Sequence, residues 1–294
     1  MFQPTDHSVD LSEEEFRLLR DLVHERFGLH FEDNQRGSLR ARLSARLASL
    51  DLGSFEEYYH YLRFGPQRAE ELQRMVTHLT NNETYFYREM PQLQVFAETV
   101  LRSIKEGKSE GADRTLRLLS AGCSTGEEAY TLAMMVYDSG QFFWSWDVQV
   151  IGMDVDQVAV DKARRGTYHQ NSFRGLSPTL IERHFVRTRT GAAQVKEPIR
   201  RMVSVRSGNI VEPESYEGLP PLDVIFCRNV LIYFSDAMIL KVVRLFHDAL
   251  RPGGYLFLGH AESLSRITDL FTPIRFQGAM IYRKATAEGA PGHP

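Results

Sequence analysis

Apolar positions in residues 1 to about 75 recur at helical spacing, with no convincing strand. Ser12 followed by Glu13, Glu14 and Glu15 reads as a helix start. A serine oxygen caps free backbone N–H groups, and acids in the first turn suit the helix dipole. Phe16, Leu19 and Val23, with Leu18 and Leu22 beside them, form one apolar stripe that Gly28 ends. Leu39, Leu43, Leu47 and Leu50 mark a second helix, stopping near Gly53. Phe55, Tyr58, Tyr59 and Leu62 mark a third, up to Gly65-Pro66. A fourth begins near Arg68 and carries Leu72, Met75, Val76 and Leu79.

After about residue 114 short β-rich runs alternate with helical segments. Strands are predicted at Thr115–Ser120, Val148–Met153, Met202–Arg206, Leu222–Cys227 and Tyr255–Gly259. Helices are predicted at Glu127–Tyr137, Val158–Arg165 and Ala237–Leu250, with a turn at Arg251-Pro252-Gly253-Gly254. Such alternation implies an α/β fold: a mostly parallel sheet covered by helices. Thr272–Phe276 and Ala279–Arg283 flank Gln277-Gly278 and read as an antiparallel hairpin. Residues 169–201, polar and with a Leu-Ser-Pro helix start near Leu176, fit neither pattern and read as a small insert. No internal repeat is visible.

A length of 294 residues suits two domains, or one with a helical annex. The expected division is a helical domain at 1–78, a linker at 79–95, an α/β domain at 96–285 and a disordered tail at 286–294. A net charge of -3 and a pI near 6.4 argue against bulk nucleic-acid or anionic-membrane binding. Cys123 and Cys227 stand far apart without metal-ligand spacing, so neither a disulfide framework nor a metal site is expected. The start lacks the basic-then-apolar pattern of a signal peptide, and no apolar run approaches the roughly 20 residues of a membrane span. A cytoplasmic protein without membrane insertion is the expectation.

The strongest local feature is the run from Ser120 through Gly122, Cys123, Ser124, Thr125 and Gly126 to Glu127 and Glu128. A strand enters a loop of small residues that opens a helix, where doubly wound sheets hold nucleotide-like ligands. Two acids at the helix start repel a pyrophosphate and suit a positively charged ligand such as S-adenosylmethionine. A nicotinamide or flavin dinucleotide is the weaker reading. Ser124 and Glu127 also match an S-x-x-E capping box, which leaves Glu128 the freer ligand. Asp154, at the end of the next strand, is placed for ribose hydroxyls, while Asp156 is placed to cap the following helix; both are also ordinary turn and cap residues. Asn209, after the following strand, has the groups to read an adenine edge, although Gly-Asn is a common turn.

Leu222–Cys227 runs into Arg228 and Asn229, with Tyr233 beyond, and this segment should border the reaction site. It lacks the Asn-Pro-Pro-Tyr arrangement associated with methylating amines and amides. Thr80 to Glu89 is a dense polar and aromatic stretch; its tyrosines also suit core or rim packing, and Arg88 a surface ion pair.

Together these segments resemble the CheR family of chemotaxis protein methyltransferases, over nearly the whole chain. The matching motifs are Thr80-Asn81-Asn82-Glu83-Thr84-Tyr85-Phe86-Tyr87-Arg88-Glu89, the Ser124 to Tyr130 run, Asp154-Val155-Asp156, Phe226 to Phe234, and Gly259-His260-Ala261-Glu262-Ser263. Each alone is weak; the ordered set is specific. The resemblance implies a class I methyltransferase, Rossmann-like sheet with an antiparallel C-terminal hairpin, an N-terminal all-helical domain and a small inserted β-subdomain at about 183–205. It implies S-adenosylmethionine as cofactor, S-adenosylhomocysteine as product, and no metal. Asn82, Thr84, Arg88, Glu128, Asp154, Asn209, Ile210, Arg228 and Asn229 are then cofactor contacts, with Arg88 and Tyr233 closest to the transferred methyl. Arg88 has a fork that suits either a substrate or a cofactor carboxylate.

The implied substrate is glutamate on the helical cytoplasmic domain of chemoreceptors, esterified during adaptation. Arg36, Arg40, Arg42 and Arg46 flank the second helix's leucines with no acid between Arg36 and Leu50. They read either as arginines snorkelling on a solvated helix or as a docking face for an acidic receptor bundle. Arg187 to Ala193 makes a short, glycine-poor loop compared with family members that grip a receptor's C-terminal pentapeptide, so a tether-independent enzyme is expected; the chain is also expected to be a monomer. The alternatives are a methyltransferase for another protein or a small carboxylate, and a non-catalytic cofactor-sensing adaptor. A dehydrogenase is disfavoured by the loop acids.

Overall fold

The computed structural model describes residues 9–80, 83–109, 113–142, 145–189 and 191–286. Asn82, Thr190 and the expected tail from 287 onward lie outside the described residues. Two compact units emerge: residues 1–81 with Tyr233–Ser235, and residues 82–232 with 236–294.

In the first unit, α1 (Glu13–Phe27) opens on a capping box. The Ser12 oxygen accepts from Glu15 N at 3.2 Å, and Ser12 N donates to Glu15 Oε2 at 2.8 Å. Helix α2 (Arg36–Leu50) ends on Asp51 in the left-handed region; α3 (Phe55–Phe64) is capped by Ser54; α4 (Arg68–Leu79) follows. The predicted stripes are buried at Phe16, Leu19, Val23, Leu39, Leu43, Leu47, Phe55, Tyr58 and Leu62. On α4 the inward face is turned by one residue from the expected one: Glu71, Met75, Val76 and Leu79 are buried, and Leu72 is half-buried. Glu71 tolerates that position because Arg46 closes on it with Nε at 2.9 Å and Nη2 at 2.6 Å, while the Tyr58 hydroxyl donates at 2.9 Å. A buried charge is otherwise costly, and a fork-shaped partner satisfies both its oxygens. Leu29 bridges Phe234, and His30 N donates to the Tyr233 carbonyl at 2.8 Å.

The second unit begins with a helical stretch that the reading of 79–95 as a linker misses. Helix α5 (Met90–Val95) runs through a π-helical turn at Phe96–Val100 into α6 (Leu101–Ser109). Pro91 is tolerated in its first turn, and Leu93, Phe96, Val100 and Ile104 bury one face. The strands are β1 (Thr115–Ala121), β2 (Asp147–Asp154), β3 (Thr167–Tyr168), β4 (Phe185–Arg187), β5 (Ala193–Val195), β6 (Val203–Ser207), β7 (Leu222–Cys227), β8 (Leu250–Leu258), β9 (Phe271–Phe276) and β10 (Ala279–Lys284). The main sheet has the order β6-β2-β1-β7-β8-β10-β9; its first five strands are parallel, and the β9–β10 hairpin is antiparallel. Helix α7 (Glu127–Asp138) packs on β1, β2 and β6; α8 (Gln157–Arg165) on β2 and β6; and α11 (Asp236–Ala249) on β8. Phe226 stacks on Phe257 at 4.2 Å, and Phe96 meets Phe226 edge-on.

The expected turn at Arg251–Gly254 lies inside β8. Leu222 pairs with Leu250 but Val224 with Tyr255, so the extra residues bulge out, and Gly253 takes φ +77°. The insert forms a second sheet, β3-β5-β4, with α9 (Pro178–His184) before β4 and α10 (Glu197–Arg200) after β5. Its strands span 167–195 rather than 183–205, because Val203–Ser207 pairs with β2 as an edge of the main sheet.

Candidate active site

The chain runs from β1 outward to β2 and β6, then returns to β7 on the other side of β1. That reversal is where open α/β sheets bind ligands, outside the carboxyl ends of the strands. Asp154 ends β2, the Gly122–Gly126 loop follows β1, Arg228 and Asn229 follow β7, and Asn209 lies just after β6.

The loop needs its two glycines. A Cβ at Gly122 (φ +75°) would stand 2.5 Å from a Val230 methyl, and one at Gly126 (φ +95°) 2.7 Å from the Ala163 Cβ. Gly122 N and Cys123 N both donate to the Met153 carbonyl, at 2.8 and 3.0 Å, which folds the loop over the end of β2. The expected Ser124–Glu127 capping box does not form. Gly126 is the N-cap of α7, and Glu127 turns inward, accepting from Thr125 Oγ1 at 2.6 Å and Ser172 Oγ at 2.8 Å. Burial pushes its carboxyl up in pKa, against the pull of those two hydroxyls. Glu128 accepts from Ser120 Oγ and from Arg228 Nε, each at 2.7 Å.

Asp154 is almost wholly buried. Its Oδ2 accepts from Ser124 N at 2.7 Å and its Oδ1 from Asp156 N at 2.9 Å. Burial raises its pKa to about 6 despite these bonds, and the neighbouring Asp156 charge adds to the rise. Each oxygen keeps a further lone pair. Asp156 caps α8 through Val158 N at 2.9 Å, as its position predicts. Asn209 is buried; its N–H donates to Ser215 Oγ at 2.8 Å and its Oδ1 accepts from Val211 N at 3.3 Å. Ile210 is buried beside it, its carbonyl accepting from the Tyr216 hydroxyl at 2.8 Å.

After β7, Arg228 donates through Nη1 to the Arg88 carbonyl at 2.7 Å. Asn229 is left-handed, at φ +60°. The loop is held by Glu262, whose carboxylate accepts from the N–H groups of Gly259 (2.5 Å), Asn229 (2.9 Å), Val230 (3.0 Å) and Ile232 (3.2 Å). Arg88 donates through Nη1 to the Glu83 carbonyl at 2.7 Å and lies 5.9 Å from the Tyr85 ring centre. Arg174 covers the same ring at 4.0 Å and pairs with Glu83 at 2.7 Å. Thr84 is half-buried in this stretch.

The fold therefore links Glu128, Arg228, Asn229 and the Arg88 backbone into one network and sets Asp154 and Asn209 on neighbouring strand ends. Tyr233 groups with the helical unit. Sequence reasoning assigned no role to Glu89 or to Glu262; the one signal was their presence in the Arg-Glu and Gly-His-Ala-Glu runs. Two buried acceptors in this network, Glu89 Oε2 and Asn229 Oδ1, have no hydrogen-bond donor among the described residues. Carboxylates and empty acceptors suit a cationic, donor-bearing ligand.

Residues 82–280 match the pattern of the CheR methyltransferase SAM-binding domain, and residues 14–80 that of the CheR methyltransferase all-alpha domain. The chain belongs to the CheR methyltransferase family. It is similar to chemotaxis protein methyltransferase 2 of Vibrio cholerae (34% identity over 278 residues, 95% of each chain). It is also similar to the chemotaxis protein methyltransferase of Escherichia coli (33% over 276 residues, 92% of this chain and 91% of the relative). The same holds for chemotaxis protein methyltransferase 1 of Pseudomonas aeruginosa (32% over 275 residues, covering 92% and 97%). As a CheR methyltransferase it uses S-adenosylmethionine. Among the described residues no group of three or more His, Cys, Asp or Glu side chains is arranged to hold a metal, and no helix is long and apolar enough to cross a membrane.

Proposed function

We propose that this CheR methyltransferase moves a methyl group from S-adenosylmethionine to glutamate carboxylates on the cytoplasmic helical domain of chemoreceptors. The products are glutamate methyl esters and S-adenosylhomocysteine, and the role is adaptation in chemotaxis. The observation that carries the reading is the set of carboxylates at the switch point, the buried Asp154 and the half-buried Glu128 beside a glycine loop, with Asn229 Oδ1 lacking a hydrogen-bond donor among the described residues. That lining disfavours a pyrophosphate and favours a cation.

Bound there, the cofactor supplies a methyl group already activated by its sulfonium. Asp154 takes the ribose hydroxyls on its remaining lone pairs, Asn209 and Ile210 flank the adenine, and Glu128, Arg228, Asn229 and Thr84 border the amino-acid end; Asn82 is assigned to the cofactor by family resemblance alone. Arg88 holds a carboxylate in its fork and excludes water. Tyr233 is assigned beside the methyl by family resemblance alone. A glutamate with a pKa of about 4.3 is a ready nucleophile near neutral pH, so alignment rather than proton abstraction is the protein's task.

Receptor docking is assigned to the exposed part of α2. Arg36 is exposed, and Arg40 pairs with the exposed Asp10 at 3.2 Å. Arg42 donates to the Leu79 carbonyl and Arg46 is locked on Glu71, so these two hold the unit together. The β4–β5 turn is closed by Thr188 N donating to the Ala192 carbonyl at 2.8 Å, which supports action without a receptor tether. The test is to incubate the protein with labelled methyl donor and receptor-bearing membranes. Label released as methanol by mild base is expected. Base-stable label on the receptor would overturn the ester assignment.

A further inference from the structure

We propose that Glu89 is a positioning residue that sets the side-chain amide of Asn229 toward the amino-acid end of the cofactor, with His260 holding Glu89 in place. The inference rests on the cofactor reading above. Glu89 Oε1 accepts from Asn229 Nδ2 at 3.1 Å and from His260 Nδ1 at 2.9 Å, and Oε2 stands 3.7 Å from Arg228 Nη1. These residues come from three separate elements: the start of α5, the end of β7 and the end of β8.

The chemistry fixes the orientation. Glu89 is held ionised: the bonds from His260 and Asn229 and the Arg228 charge outweigh its burial and lower its pKa. An ionised carboxylate only accepts, so Asn229 must turn its NH2 toward Glu89 and His260 must carry its proton on Nδ1. Asn229 Oδ1 therefore faces away from Glu89, buried and without a donor among the described residues. The backbone is committed to the same end. Glu89 and Asn229 are both left-handed, at φ +59° and +60°, a conformation that a glutamate rarely adopts. Glu262 fixes the Asn229 backbone while Glu89 fixes its amide.

In this reading the ligand supplies that donor. Glu89 and Glu128 flank the single guanidinium of Arg228, so the local balance favours a cation. Asn209, assigned to adenine, follows β6, whereas Asn229 follows β7, three places along in the order β6-β2-β1-β7. At about 4.8 Å per strand the two ends stand roughly 14 Å apart, as the two ends of an extended cofactor require. The cationic donor at the far end is the α-ammonium group.

The test is calorimetry with S-adenosylhomocysteine and with 5′-methylthioadenosine, which lacks the amino-acid end. Glu89→Ala is expected to weaken S-adenosylhomocysteine about tenfold and to leave 5′-methylthioadenosine within about twofold. In an Asn229→Ala background the same change should add less than about twofold, because Glu89 acts through Asn229. Glu89→Gln, which keeps an acceptor of the same shape, should recover most of the loss, and KM for the methyl donor should rise more than kcat falls in Glu89→Ala. Equal weakening of both ligands, or losses that multiply in the double variant, would overturn the Glu89 assignment alone. No binding of S-adenosylhomocysteine by the folded wild type would remove the cofactor reading and this inference with it.

Discussion

Lowering the pH from 7 to 5 should weaken S-adenosylhomocysteine binding about tenfold through Asp154 alone. In the proposed cofactor-binding role its carboxyl, lifted by burial to about 6, must be ionised to accept two ribose hydroxyls. At pH 7 roughly nine-tenths of it is ionised and at pH 5 roughly one-tenth. Folding responds with the opposite sign. The folded pKa lies above the unfolded value of 3.8, so the group's stabilising contribution is complete below 3.8 and is lost as pH rises through about 6. Between pH 5 and 7 that loss is about 1 kcal/mol, so the ligand-free protein should gain stability from this group over the range in which binding fades. The assay is isothermal calorimetry at half-unit steps of pH and constant ionic strength, paired with urea denaturation of the free protein. Asp154→Asn keeps the shape but cannot ionise. It should bind more weakly at pH 7 and remove this component of the pH dependence. Affinity in the wild type that is level across the range, or a tenfold fall that persists in Asp154→Asn, would refute the reasoning.

Two further outcomes separate structural from functional charges. Arg46→Met leaves the Glu71 carboxylate, 2% exposed, with the Tyr58 hydroxyl as its one remaining side-chain donor among the described residues. It should cost roughly 3–5 kcal/mol in urea denaturation followed by circular dichroism, and much of that loss should be recovered when Glu71 is also made leucine. By contrast, reversing the charges of Arg36 and Arg40 should weaken receptor binding with cofactor affinity intact; a stable Arg46→Met that binds receptor poorly would return Arg46 to the docking face. Glu262→Ala removes the acceptor of four backbone N–H groups and should cost about 3–5 kcal/mol and abolish S-adenosylhomocysteine binding, with Glu262→Gln in between. Wild-type stability in Glu262→Ala would show that other acceptors take up those donors.

Local pattern was enough where the determining contacts lie within a few residues and no distant partner competes; the Ser124–Glu127 box fails because Ser172 draws Glu127 inward. The Ser12 cap of α1, the leucine face of α2 and the Asp156 cap depend on neighbours one to four positions away and are legible in the chain. Where a side chain's partner lies far along the sequence, composition misleads. Glu71 occupies the buried face of α4 because Arg46 and Tyr58 reach it, and without them a leucine beside it looks the better core residue. The pattern of Arg251–Gly254 is that of a turn, but pairing to β7 makes it a bulge within a strand. Glu127 and Glu128 are adjacent acids at a helix start, and only the fold sends one inward to Ser172 and the other to Arg228, a hundred residues on. Glu89 and His260 are joined across 171 positions, and no spacing rule links them. Periodicity records which face of a segment avoids water; which charge meets which is decided when the strand order brings their ends together.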